Sequence, residues 1–211
     1  MIYTNLTQLH ERKIVAPSVS TKIYNYGFYP LIKGDLSPIL PLHNETFISI
    51  QHFLDLQEPL VIVFYTAVDN NYANTLQQIT YLQEQVQLNG GNLIIVTNHI
   101  SKVFKRAVAT LNISYVFYDN NNELAEAFGL YDIENPISNW LSGVDEVNAS
   151  LPAIYVINPN RQIVHHYVDF EFQLFKVNTV FNNVLSAVVD AVSDIHQSFT
   201  LLKVRFNKLV S

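Results

Sequence analysis

Leu60-Val61-Ile62-Val63-Phe64-Tyr65 is an unbroken run of branched aliphatic and aromatic residues. Such a run lacks the alternation of a half-exposed strand and suits a strand buried on both faces of a sheet. Just after it, residues 70–88 switch to helical spacing, with Tyr72, Leu76, Ile79, Leu82 and Val86 on one stripe. Gly90-Gly91 ends that helix. Asn92-Leu93-Ile94-Ile95-Val96-Thr97 reads as a second buried strand, and Val103, Ala107 and Leu111 give a short second helix. Tyr115-Val116-Phe117-Tyr118 is a third strand and Glu123 to Phe128 a third short helix, before a less regular insert from about 129 to 150. Ala153 to Ile157 and Gln162 to Val168 flank Asn158-Pro159-Asn160-Arg161, turn chemistry that joins two antiparallel strands. Val177, Val180, Val184, Val188 and Val192 form a last helical stripe, with a further helical stretch from Phe199 to Leu209.

The order is three βα units, then a hairpin, then a helix. A mixed central sheet with helices on both faces, a three-layer α/β/α sandwich, is the natural packing. The chain of 211 residues divides into an N-terminal arm (1–33), a main domain (34–193) and a C-terminal helical extension (194–211). The arm is irregular and crowds Tyr24, Tyr26, Phe28, Tyr29 and Pro30 together, as if packed on the body by its aromatics. Gly34, Pro38 and Pro41 punctuate the start of the main domain.

Composition excludes more than it establishes. Hydrophobic residues at 49% and charged residues at 14% supply a sizeable core and argue against disorder. A net charge of -6 without a basic stripe argues against a nucleic-acid partner. The apolar stretch Leu60 to Val68 is far short of the ~20 residues of a spanning helix. Asn5, Thr7, Gln8, His10 and Glu11 stand where a signal peptide would be apolar. The expectation is a soluble, cytoplasmic chain with no membrane partner. Cysteine is absent altogether, which removes disulfides, thiolate metal sites and every mechanism that uses a protein thiol.

Several stretches, in order, resemble peroxiredoxin-like proteins of the alkyl hydroperoxide reductase and thiol-specific antioxidant family. Gly34-Asp35-Leu36-Ser37-Pro38 with Leu40-Pro41-Leu42 is similar to the family's opening motif. Val61 to Tyr65 resembles its first central strand. Tyr115 to Asp119 with Glu123-Leu124-Ala125-Glu126-Ala127-Phe128-Gly129, and Leu151-Pro152-Ala153-Ile154-Tyr155-Val156-Ile157-Asn158, resemble later marks. Together they cover roughly residues 32–175. The resemblance implies a thioredoxin-like fold and a reaction in which a thiolate at a helix N-terminus attacks a peroxide O–O bond.

The catalytic motif is where the chain departs. After Phe64-Tyr65 come Thr66-Ala67-Val68-Asp69-Asn70-Asn71-Tyr72-Ala73-Asn74. In the register of the family's two-cysteine motif, the cysteines fall on Asn70 and Ala73, and Tyr72 and Asn74 match their flanking residues. Asp169-Phe170-Glu171-Phe172-Gln173 has no arginine at the family's matching place. Asparagine is not a nucleophile at neutral pH, alanine has no reactive group, and Met1 is a poor substitute. Thiol peroxidase and disulfide reductase chemistry is therefore excluded.

What is left at the turn has two readings. Asp69, Asn70 and Asn71 are favoured as plain capping residues of the helix at 70–88. Alternatively the helix amides and Asn70 form a small polar or anion-binding pocket, which the charge of Asp69 would weaken. Pro152 matches a proline that, in thioredoxins, lies beside the active-site helix and is often cis. A cis bond here is a hypothesis above the base rate of about 5–6%, and its plain alternative is a proline that opens a strand. His165 and His166 are adjacent on a strand and point to opposite faces, so they do not chelate one ion together. His99 lies at the C-terminal end of a strand, where open sheets bind ligands, but no second ligand is spaced to join it. No metal and no cofactor are expected. Lys102, Lys105 and Arg106 read as a solvated helix face. Trp140 either anchors the 129–150 insert, with Tyr131 and Ile137, or covers the degenerate pocket.

Three functions compete. The favoured one is a non-catalytic, peroxiredoxin-like protein that binds a small-molecule ligand or protein partner through Asp69, Asn70, Asn71, Tyr72, His99, Trp140 and Pro152. The second is an enzyme of another class using the same cleft, with Asp69, His99 or a tyrosine as acid or base. The third is a structural subunit of a homo-oligomer. The apolar residues Phe199, Leu201, Leu202, Val204, Phe206 and Leu209 must be covered, and a homodimer formed partly through them is the simplest arrangement.

Overall fold

The structure is a computed structural model and describes residues 27–42, 48–66, 72–98, 101–111, 113–139, 141, 149–172 and 178–210. A short antiparallel pair, β1 (Pro41–Leu42) and β2 (Ile48–Ser49), leads into helix α1 (Ile50–Leu54). The central elements are β3 (Leu60–Phe64), α2 (Tyr72–Leu88), β4 (Asn92–Thr97), α3 (Lys102–Thr110), β5 (Val116–Tyr118) and α4 (Glu123–Ala127). A 3-10 turn at Ile137–Asn139 precedes the hairpin β6 (Ala153–Ile157) and β7 (Ile163–Val168), and α5 (Asn178–Val210) ends the chain.

The main sheet has five strands in the order β5-β4-β3-β6-β7. β3 is its middle strand, parallel to β4 and antiparallel to β6, so the sheet is mixed as expected. All five residues of β3 are buried, which is why they read as one continuous apolar run. Alternate residues serve two cores. Leu60, Ile62 and Phe64 join Phe28, Phe53, Phe117, Phe128 and Tyr155 on one face. Val61, Val63 and Tyr65 meet α2, α3 and α5 on the other.

The stripe Leu76, Ile79, Leu82 and Val86 is fully buried, as its spacing requires. In α3 the buried position is Phe104, while Val103 is 65% exposed. The expected stripe was therefore one residue out of phase at its start. The large ring takes the core position, stacking on Tyr65 at 5.4 Å, and turns Val103 to solvent. Lys102, Lys105 and Arg106 lie on the exposed side, with the Lys105 ammonium 5.0 Å over the Tyr118 ring.

The arm is described from Gly27 onward. Phe28 is buried but Tyr29 is 80% exposed, so the described aromatics do not all pack. Tyr24 and Tyr26 lie outside the described residues. The backbone runs as one helix from Asn178 to Val210, without a break at 193–194. No helix among the described residues is long and apolar enough to cross a membrane.

Candidate functional site

The C-terminal end of β3 sets the corner where the family's nucleophile would lie. Because β3 pairs antiparallel with β6, Phe64 lies opposite Ala153. The chain leaving β3 therefore meets the chain entering β6. The Thr66 hydroxyl donates to the Ser150 carbonyl at 2.6 Å, and its oxygen is 3.2 Å from the Ser150 hydroxyl. Both residues are buried. Leu151 N–H donates to the Leu130 carbonyl, and the Pro152 carbonyl accepts from Asp169 N–H, each at 2.9 Å. Pro152 thus sits two residues from the Thr66 contact, buried at the start of β6.

The Leu151–Pro152 peptide is trans, which corrects the cis hypothesis. The Leu151 N–H bond to the Leu130 carbonyl holds the approach to β6, and Pro152 opens the strand without owing it an N–H. Helix α2 begins with the backbone of Tyr72 and Ala73, whose side chains are outside the description. Asp69, Asn70, Asn71, His99 and Trp140 also lie outside the described residues. Of the expected site residues, the structure places Pro152 in full and the backbone of Tyr72 and Ala73 at the head of α2. It adds Thr66 and Ser150, which sequence reading missed because a lone Thr and Ser carry no pattern.

The neighbouring strand ends are also polar. Asp119 comes directly after β5 and is buried, with its N–H donating to the Thr97 carbonyl at 2.9 Å. Its carboxylate accepts from Leu124 N–H at 3.2 Å and Ala125 N–H at 2.9 Å, so it caps α4 from upstream. Burial raises its pKa, and those N–H groups partly offset the rise. A carboxylate held this way is structural, with its oxygens turned to the helix. The Asn98 side-chain amide donates to the Asn122 side-chain carbonyl at 3.3 Å nearby.

His165 and His166 do point to opposite faces, paired in register with Val156 and Tyr155. Burial lowers the pKa of both. No group of three or more metal-ligating side chains occurs among the described residues.

The Tyr155 hydroxyl is fully buried without a hydrogen-bond partner among the described residues. Its ring lies between Phe64 and Phe128. Burial, then the charge of Asp35, pushes its pKa far above the usual phenol value.

No protein-family profile matches the sequence, and no curated protein matches it. Solved structures do. Peroxidoxin BcpB from Mycobacterium tuberculosis superposes with a TM-score of 0.58 at 14% identity, covering 75% of this chain and 96% of that one. A Cys-to-Ser variant of PrxQ from Xylella fastidiosa gives 0.56 at 16% identity, covering 76% and 98%. AhpC from Mycobacterium tuberculosis gives 0.56 at 14% identity, covering 78% and 94%. At such identities the likeness speaks for the fold alone. The chain therefore has the thioredoxin-like fold of the peroxiredoxins, and it carries no cysteine.

Proposed function

We propose that this chain is a peroxiredoxin-like protein without thiol peroxidase activity, in which the scaffold serves binding and not redox chemistry. One observation carries the reading: a peroxiredoxin fold is built from 211 residues that include no cysteine. A peroxidatic step needs a thiolate that attacks the O–O bond, takes one oxygen as a sulfenic acid and releases an alcohol or water. No side chain here can perform it. The corner formed by Thr66, Ser150 and Pro152 supports the assigned register, because it brings the end of β3 to the match of the proline that in thioredoxins lies beside the active-site helix. In this reading Asp69, Asn70, Asn71, Tyr72, His99, Trp140 and Pro152 are the residues that contact a ligand or partner. The protein acts in the cytoplasm, as a homodimer formed partly through the apolar stretch from Phe199 to Leu209.

The test is peroxide consumption by purified protein with dithiothreitol as reductant. The expected rate equals that of a heat-denatured control, and turnover above it overturns the reading. Ala73→Cys, alone and with Asn70→Cys, is the companion experiment. Peroxidase activity gained by either variant supports the register.

A further inference from the structure

The outward face of α2 differs from an ordinary solvated helix. Its 17 residues include a single charged side chain, Glu84, and the remaining polar positions are largely carboxamides. Surface helices normally carry mixed charge, which keeps them soluble. Asn74, Gln77, Gln78 and Tyr81 recur at helical spacing along one side and face Phe181 and Asn182 of α5 across a groove of about 660 Å³. The six described lining residues are uncharged. Tyr81 is 58% exposed, a large ring left in solvent beside four carboxamides. No hydrogen bond among the described residues engages those four side chains.

We propose that this groove binds a neutral saccharide. Each carboxamide offers two donors and an accepting oxygen, which matches hydroxyls that both donate and accept. An anionic ligand would meet no cation among the described lining residues, and an aliphatic ligand would bury the carboxamides unpaired. The exposed Tyr81 ring offers flat apolar surface to the C–H face of a pyranose, while the amides meet its rim. The volume falls within the range of small-molecule sites, roughly 300–1,000 Å³. The inference stands apart from the lost-thiol reading, since it uses neither the turn after β3 nor Pro152.

Amide-detected NMR titration with N,N′-diacetylchitobiose, maltotriose and cellotriose tests it, with triglycine and inorganic phosphate as contrasting probes. At least one saccharide is expected to shift the side-chain amides of Asn74, Gln77, Gln78 and Asn182 saturably. Tyr81→Ala is expected to weaken that binding about tenfold, the loss of one stacked ring. Gln78→Glu is expected to weaken it too, with the thermal midpoint held in both exposed-site variants. The proposal is overturned if no saccharide shifts these amides at about 10 mM, beyond the weak-binding range. Affinity unchanged by Tyr81→Ala, or binding of triglycine or phosphate in place of sugar, also overturns it.

Discussion

One face of the sheet is covered by long helices, and the other by short pieces of chain. On the first, α2, α3 and α5 bury Leu76, Ile79, Leu82, Phe104, Val184 and Val188 against Val61, Val63 and Ile95. On the second, Phe28, Leu42, α1, α4 and the segment around Leu130 cover Leu60, Ile62, Phe64 and Tyr155. A long helix satisfies its own backbone and needs help only at its ends. Short segments must find partners elsewhere, and here side chains supply them. The Arg161 guanidinium donates to the Ser37 carbonyl at 2.7 and 3.2 Å. Lys33 N–H donates to His166 Nδ1 at 3.0 Å, and Asp119 holds the start of α4. The helical face depends on apolar area, whereas the other adds specific polar fastenings.

Removing a fastening from each face breaks or sharpens that contrast. Asp119→Ala leaves two buried N–H groups without their acceptor and should cost about 2 kcal/mol in urea unfolding. The Ser101 hydroxyl oxygen caps α3 by accepting from Phe104 N–H at 3.1 Å. Ser101→Ala should cost about 1 kcal/mol, since the rest of α3 is held by packing. Equal losses at the two positions would erase the distinction between the faces.

The same contrast decides what could be read from sequence. The helical face was legible because its periods are long: Leu76, Ile79, Leu82 and Val86 repeat over three turns and all are buried. The buried strands were legible as unbroken apolar runs. On the other face, α1 was not read, since five residues carry too short a period even though Ile50, Phe53 and Leu54 are buried. In α3, one competing aromatic was enough to shift the phase. Around the site, the resemblance marked Pro152 before the last strand pair, but isomer state and hydrogen bonding are tertiary properties. The Thr66–Ser150 contact joins residues far apart in sequence, and no local pattern announces it.

Tyr155 tests whether the second face also tolerates an imperfect fit. Its hydroxyl is buried with no partner among the described residues, on the same side as the polar fastenings. Tyr155→Phe keeps the ring contacts with Phe64 and Phe128 and removes the desolvated oxygen. Stability should rise by about 1 kcal/mol, read from the urea midpoint at constant slope. A loss of similar size would mean that the hydroxyl is satisfied in solution, for instance by a buried water.

The smallest effect concerns pH. His166 must be neutral at Nδ1 to accept from Lys33 N–H, and burial favours that form while Asp35 opposes it. His165, on the opposite face, is also lowered by burial and by the charges of His166 and Lys33. Both folded-state values lie below the ordinary imidazole value of 6.5. Between the folded and unfolded values the unfolded chain binds more protons, so stability rises with pH across that window. It is fully present above 6.5 and is lost as the solution is acidified through the folded values. Asp119 acts with the opposite sign, since its raised pKa lets the folded state hold a proton longer than the unfolded chain. Its window starts from the ordinary carboxylate value of 3.8, lower than the imidazole's. A urea midpoint that falls modestly on acidification from about pH 7 toward about 5.5, and falls less in His166→Gln, is the expected result. An identical slope in that variant would assign the pH dependence to His165, and so to the helical face.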